Sequence, residues 1–505
     1  MKNKIRTIQV CGTGSGAGKS VIVAGLCRLF LQDGFKVAPF KAQNMALNSA
    51  VTKDGLEIGR AQAMQAEACR IPATVDMNPI LLKPTGEAGC QVIVRGRPFK
   101  NMSAGEYYTH KRRLLSVVRK SLFRLMSEYD LVVIEGAGSP AEVNLKDRDI
   151  VNLRVARMVG APVILVGDID RGGVFASLVG TLQLLTRSER SLVKGFIINK
   201  FRGDLSLLED GLTFLERKTG KKVLGVVPYL KDLRLPEEDS LFFDRKRDSG
   251  SGPVRIAVVR LPYISNFTDF DALEKEPDVS LIYTVNPEEV SAADCVILPG
   301  TKNTVADLLF LRKTGLAKEI KIQVPTGKEI IGICGGYQIL GRKISDPLGV
   351  ESKESLVSGL GLLNVVTEFG REKETSQVKG KHLETAIPVG GYEIHHGHTE
   401  RLSDSKPVFL INRRGGRDVS LEDGAQNRDG RIWGTYLHGI FDDPGFRRWF
   451  LNRLRARKGL TLTENVTGTD FFDTRYDQLA DVLRKHLDIA ALRRIVFRPE
   501  SEKTA

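Results

Sequence analysis

Between about residues 7 and 227, short apolar runs rich in β-branched residues alternate with longer stretches in which apolar positions recur at helical spacing. The runs 8–11, 36–40, 131–134, 163–166, 195–199 and 223–227 predict strands, and the stretches between them predict helices, the clearest at 21–31. Strands separated by helix-length connections predict a mostly parallel sheet with crossover helices. The pattern breaks at 236–252, where charge, Gly and Ser replace the apolar runs, Asp248-Ser-Gly-Ser-Gly252 included, and a linker is expected. It then restarts. Strands are predicted at 255–259, 279–283, 295–298 and 329–333, with a helix at 303–313, and helical signals dominate from about 443 onward.

Two α/β domains are therefore expected: residues 1–235, then, after the linker 236–252, residues 253–450, with a helical extension over 451–505. A length of 505 residues, 42% hydrophobic and 27% charged, fits that reading of an ordinary globular composition. Seventy-five Lys and Arg against 61 Asp and Glu leave a net charge of +14. The basic residues are scattered, so anionic small substrates are favoured over nucleic acid as partners. Six cysteines without paired C-x-x-C spacing point to a reducing cytoplasm. No apolar run approaches the roughly 18 residues that would span a membrane.

Two segments carry chemistry. The first predicted strand runs into Gly12-Thr13-Gly14-Ser15-Gly16-Ala17-Gly18-Lys19-Ser20 and then a helix. Glycines that expose backbone N–H groups, a lysine and a hydroxyl at a helix N-terminus form a phosphate cradle, with Ser20 able to ligate Mg²⁺. Glu135, ending the strand 131–134, is where a Mg²⁺-binding acid would face that loop. In the second domain, Cys334 stands between an apolar strand and a helix, framed by Gly332, Gly335 and Gly336. The frame is that of a nucleophile elbow, in which the Gly335 amide can meet an oxyanion. Such a thiol needs a base, and His438 in Trp433-Gly-Thr-Tyr-Leu-His438 is the best candidate.

The phosphate loop is one residue longer than the standard form, whose first glycine would fall on Thr13, and in this it resembles dethiobiotin synthetase and its relatives. That resemblance implies ATP as the nucleotide, a catalytic role for Lys41 after the second strand, Glu135 as the acid and Asn199 at adenine. Cys334 and His438 resemble the catalytic pair of class I glutamine amidotransferases, which implies L-glutamine as nitrogen donor and Gly300, in Pro299-Gly300-Thr301, as a second oxyanion donor. Most of that class carry a glutamate where this chain has Ile440, so the third member is missing or comes from elsewhere. Glu393 and His395 are further candidates for orienting or gating the site.

The pairing of these two units resembles the cobyrinate and cobyric acid synthase group over nearly the whole chain. The runs 38–49 and 135–145 sharpen the likeness towards amidation at b, d, e and g of adenosylcobyrinic a,c-diamide, with Asn44 and Asp149 as the residues handling the corrinoid. Two other readings stand beside it: an amidotransferase acting on another carboxylate, and a ParA-like ATPase scaffold.

Overall fold

The computed structural model describes residues 6–85, 89–230, 251–352, 354–465, 468 and 471–497. Most of the expected linker, 236–250, lies outside the described residues. The predicted strands form, each within two residues of its expected bounds, 195–199 lengthening to Val193–Phe201.

The first sheet holds six parallel strands in the order Lys222–Pro228, Val193–Phe201, Val163–Asp168, Arg6–Gly12, Leu131–Glu135, Val37–Phe40. Its strands read as continuous apolar runs because helices cover both faces. Arg6–Gly12 and Leu131–Glu135 are neighbours, yet the chain leaves them in opposite directions, the first towards Val37–Phe40 and the second towards Val163–Asp168. A crevice opens at the carboxyl ends of such a pair. A smaller sheet, Gln43–Met45, Ile80–Pro84, Gly89–Val94 and Arg97–Ser103, stands beside it, next to the two-stranded ribbon of Ser49–Val51 and Glu57–Gly59. No apolar run had predicted these; their strands are short and largely paired at edges.

The second main sheet runs Val279–Thr284, Val254–Val259, Cys295–Leu298, Glu329–Ile333, Ile432–Thr435, Ala425–Gln426, parallel apart from the last pair. Here Val254–Val259 and Cys295–Leu298 form the switch point. The long antiparallel pair Val365–His382 and Pro388–Arg401 belongs to a third sheet, whose hairpin reaches the first domain. Gln377 donates to Val51 O and Tyr392 OH to Ser49 O (3.4 Å).

Helix Pro444–Arg457 packs Phe446, Phe450, Leu451 and Leu454 into the core of the second unit. The two helices after it, Phe471–His486 and Ile489–Phe497, return to the first unit and cover helix Lys19–Gln32. Gly25 is what allows the close approach: a Cβ there would press on Leu479 and Leu483. The fully buried Arg28 guanidinium answers with ion pairs to Asp473 (2.5 Å) and Asp477 (3.2 Å). Removing a buried leucine side chain leaves a cavity, so Leu479→Ala is expected to lower stability by about 2–5 kcal/mol, read as a shifted denaturant midpoint. A shift under about 0.5 kcal/mol would show that these helices add nothing to the core.

Candidate active sites

All the groups of the thiol site stand at the carboxyl ends of four parallel strands. Glu329–Ile333 delivers Cys334, Ile432–Thr435 delivers His438, Cys295–Leu298 delivers Gly300, and the loop after Val254–Val259 delivers Asp269. Cys334 holds φ 51° and ψ −108°, a left-handed conformation that costs a non-glycine residue about 1–3 kcal/mol and persists only where its surroundings enforce it. The enforcement is visible. A Cβ on Gly332 would strike Gly336 and Tyr337, one on Gly336 would collide with Leu298 O, and one on Gly335 would press on Thr301. The elbow is tied to the next strand by Cys334 N–H donating to Thr435 O (2.8 Å). Gly335 then opens helix Gly335–Leu340, so its amide lies at a helix N-terminus beside the thiol.

His438 is buried, and its Nδ1 lies 2.6 Å from Asp269 Oδ2. Asp269 Oδ1 in turn accepts from Gly439 N–H (3.1 Å), so both oxygens of this carboxylate are engaged. Tyr392 stacks on the imidazole, ring centroids 5.1 Å apart and planes 15° apart. Burial works against a charged imidazole, but the Asp269 carboxylate and the nearby Cys334 outweigh it and push the His438 pKa up to about 10. Among the described residues, His438 Nε2 makes no well-formed hydrogen bond, which leaves it available to the thiol and its substrate. Gly300 is required for this fit, because a Cβ there would sit 2.9 Å from His438 Cε1.

The third member is therefore Asp269, supplied by the loop between Val254–Val259 and Val279–Thr284. Ile440 is buried in a short 3₁₀ turn and takes no part. No signal in the sequence marked Asp269, because its place beside the switch point is visible only once the strand order is known. Glu393 and His395 lie close by without joining the triad. Glu393 receives Arg414 Nε (2.7 Å), and burial pushes its carboxyl up to about 7. His395 stacks on Tyr436 at 3.7 Å, and burial lowers its pKa to about 3, so it is neutral. The thiol opens into a cavity of ≈ 30 Å³ whose wall includes Asn266, Lys302, His396, Lys373 and, from the first domain, Lys83.

The phosphate site forms in the crevice of the first sheet. Gly16 and Gly18 take positive φ, and a Cβ at Gly14 would meet nothing within 4 Å, so the loop presents backbone to open space. Lys19 Nζ donates to Gly14 O (2.8 Å) and Gly138 O (3.2 Å), spanning the crevice between the two strands that form it. Glu135 is fully buried. Its Oε1 accepts from Ser20 Oγ (2.9 Å) and Lys41 Nζ (2.9 Å), and its Oε2 from Gln65 Nε2 (2.5 Å). Burial alone would neutralise it, but Lys41, Gln65 and Lys19 hold its pKa below the usual value. Lys19, Ser20, Lys41 and Glu135 thus meet, together with Gln65, which the sequence reading missed.

Asn199 Nδ2 donates to Ala17 O (3.0 Å), fastening the loop to the strand Val193–Phe201 beside it. Asp149 is turned to local structure: its carboxylate accepts from the N–H groups of Val151 (2.8 Å), Asn152 (2.9 Å) and Arg154 (3.4 Å). Asn44 is buried in the smaller sheet.

A thiol, imidazole and carboxylate on one sheet and a phosphate loop on another define a glutamine amidotransferase joined to a nucleotide-binding domain. Comparison with known families agrees: residues 8–242 match the CobQ/CobB/MinD/ParA nucleotide binding domain, and residues 255–446 match the CobB/CobQ-like glutamine amidotransferase domain. Over 98% of its length the chain is 50% identical to a cobyric acid synthase of Syntrophobacter fumaroxidans, covering 99% of that protein. It is 51% identical to one of Moorella thermoacetica, over 97% of each. The chain belongs to the cobyric acid synthase family. Among the described residues, no helix is long and apolar enough to cross a membrane.

Asp269→Asn is expected to cut glutaminase turnover by about 10²–10⁴-fold, because the amide cannot hold the imidazolium. The same carboxylate sets the pH profile. Folding raises the His438 pKa, so its protonated form is retained through neutral pH and lost as the pH climbs through about 10. Glutamate release by the native protein should hold across neutral pH and fall in that alkaline range, and in Asp269→Asn the fall should move to lower pH. An unchanged profile would remove Asp269 from the site.

Proposed function

We propose that this chain uses ATP and the amide nitrogen of glutamine to convert the b, d, e and g carboxylates of adenosylcobyrinic a,c-diamide to primary amides, giving adenosylcobyric acid in the cytoplasm. The observation that carries it is the presence of two complete sites in one chain whose relatives, at about half identity over nearly their full length, are cobyric acid synthases. The proposed division is 1–235 for the ATP-dependent unit, 236–252 for the linker, 253–450 for the glutaminase unit and 451–505 for the helical extension.

In the glutaminase half, Cys334 as thiolate attacks the side-chain carbonyl carbon of glutamine, and the amide N–H groups of Gly335 and Gly300 meet the oxyanion. His438, held protonated by Asp269, passes its Nε2 proton to the departing nitrogen, so ammonia leaves and a glutamyl thioester remains. The neutral imidazole then takes a proton from water, hydroxide displaces the thiolate, and glutamate is released with imidazolium restored.

In the other half, the loop amides of residues 12–18 and Lys19 hold the phosphates of ATP, and Lys41 supplies a second positive charge beside them. Asn199, fastened through its nitrogen, keeps Oδ1 as an acceptor for the amino group of adenine. The Ser20 hydroxyl and Glu135 carboxylate, 2.9 Å apart at a helix N-terminus, are hard oxygen donors that fit Mg²⁺, which takes few protein ligands. Bound there, Mg²⁺ would neutralise phosphate charge. A substrate carboxylate oxygen accepts the γ-phosphoryl group, ADP departs, and ammonia then displaces phosphate from the acyl carbon as a proton leaves the nitrogen. Asn44 and Asp149 are the residues proposed to handle the corrinoid.

With Cys334→Ala, glutamine-dependent amidation should fall by orders of magnitude, as loss of a covalent nucleophile generally causes. High ammonium at alkaline pH should restore amide formation, still at the expense of ATP. Mass spectrometry of the corrinoid should show four successive replacements of OH by NH₂. A single replacement would point to a different synthase, and unimpaired use of glutamine would remove Cys334 from the mechanism.

A further inference from the structure

Three lysines stand in the wall of the cavity beside Cys334, and they differ in one respect. Lys83, from the first domain, and Lys373, from the antiparallel hairpin, both pair with the buried Glu57, at 2.5 Å and 2.6 Å. Their charge is already met. Lys302 lines the same cavity, and among the described residues its ammonium forms neither an ion pair nor a hydrogen bond.

The place of Lys302 is nonetheless fixed. It follows Gly300 and Thr301 in the loop after Cys295–Leu298, and its own N–H donates to Tyr263 O (2.9 Å). The backbone that offers the second oxyanion donor therefore also carries this ammonium. An ammonium drawn out of water without a counter-charge becomes easier to deprotonate, and burial lowers the Lys302 pKa in this way. A bound anion would relieve that penalty.

Glu351 supplies the opposite charge in the same cavity wall. Its loop is held by the Asp346 carboxylate, which accepts from the N–H groups of Val350, Glu351 and Ser352, each at 2.8 Å. Glu351 Oε2 accepts from Thr304 N–H (3.0 Å), two residues beyond Lys302. Lys302 and Glu351 attract one another, yet they form no ion pair among the described residues. Two opposite charges held on separate loops, near but not joined, leave room for a molecule that carries both.

His396 points to the same conclusion independently. It is 8% exposed, it lines the cavity, and neither ring nitrogen has a well-formed hydrogen bond among the described residues. Burial, then Lys302 and Lys373, lower its pKa to about 3, so the ring is neutral and offers one donor and one acceptor. Buried polar groups ordinarily find partners, and an orphaned imidazole beside an unpaired ammonium marks a place where a polar ligand supplies them.

We propose that Lys302 and Glu351 form the subsite for the amino-acid end of glutamine, Lys302 receiving the α-carboxylate and Glu351 the α-ammonium while the side-chain amide lies at Cys334. L-Glutamine is a zwitterion near neutral pH, so a site with both charges takes its whole head without leaving either charge buried alone. Because Lys302 stands two residues from Gly300, seating the carboxylate also sets where the amide carbonyl meets the oxyanion donors. A glutamine within a peptide lacks both charges and would leave Lys302 and Glu351 unmet, so the site selects the free amino acid. No bond is made or broken in this recognition.

The inference rests on the proposed use of glutamine, and the test separates the two. Ammonia release by the full chain is measured with L-glutamine, and two analogues are added as inhibitors: glutaric acid monoamide, which lacks the α-ammonium, and 4-aminobutanamide, which lacks the α-carboxylate. Each should bind the native protein more weakly than glutamine does. Lys302→Met keeps a long side chain without the charge, and Glu351→Gln keeps an acceptor for Thr304 N–H. Both variants are expected to raise KM for glutamine about tenfold or more, with kcat falling less than about threefold. Lys302→Met should weaken glutaric acid monoamide and spare 4-aminobutanamide, and Glu351→Gln should do the reverse. An unchanged KM in both variants overturns the assignment. So does a fall in kcat at unchanged KM, which would mean that Lys302 supports the thiolate and not the substrate. An analogue that binds the native protein as tightly as glutamine also overturns it, because the charge it lacks would then go unread. If the native protein releases no ammonia from glutamine, it is the functional reading that fails.

Discussion

A carboxylate removed from water stays ionised only if cations or hydrogen-bond donors replace the solvent it has lost, and unpaired it costs several kcal/mol. Three such carboxylates organise this protein. Glu135 gathers Lys41, Ser20 and Gln65; Asp269 holds His438; Glu57 draws one lysine from each domain. Each binds together elements that are remote in the chain, and each must be satisfied for its neighbourhood to stay folded. The positions of Lys41 and His438 therefore follow from the same requirement that keeps the interiors stable.

Parallel sheets supply the frame in which those carboxylates can work. Both main sheets have a pair of neighbouring strands whose connections part in opposite directions, and both sites open there. In the first, the phosphate loop and Glu135 come from the two strands at the fork. In the second, Asp269 and Gly300 come from the fork, and Cys334 and His438 from the next two strands along. One geometric device serves thiol chemistry and phosphate binding alike, because the loops at a fork are free to hold functional groups while the strands below are locked by parallel pairing.

The contact between the domains is polar where it matters for turnover. Glu57–Lys373 ties the antiparallel hairpin to the ribbon of the first domain, and Ser49 N–H, in the same ribbon, donates to Asn266 Oδ1 (3.0 Å). Asn266 and Asp269 lie in one loop, so the segment that orients the histidine also touches the other domain. The return of the C-terminal helices to the phosphate-loop helix adds a second tie, through Arg28 and its two aspartates.

Local signals were enough for much of this. Apolar runs marked the six strands of the first main sheet and four of the six of the second, and the glycines around Lys19 and Cys334 identified their turns, because a residue without a side chain is the local solution to a tight backbone. Lys19, Ser20, Cys334 and His438 could be read that way. Asp269 could not: it meets His438 across 169 positions, and nothing in its own neighbourhood distinguishes it from an aspartate in any loop. Glu57 and Lys373, 316 positions apart, are still further from view. A pairing between buried charges depends on which elements the fold brings together and on how much water it removes, and both are properties of the packed chain. The sequence alone determined the two α/β units, the elbow and the phosphate loop; tertiary structure decided which carboxylate completes each site, since only burial makes that partner necessary.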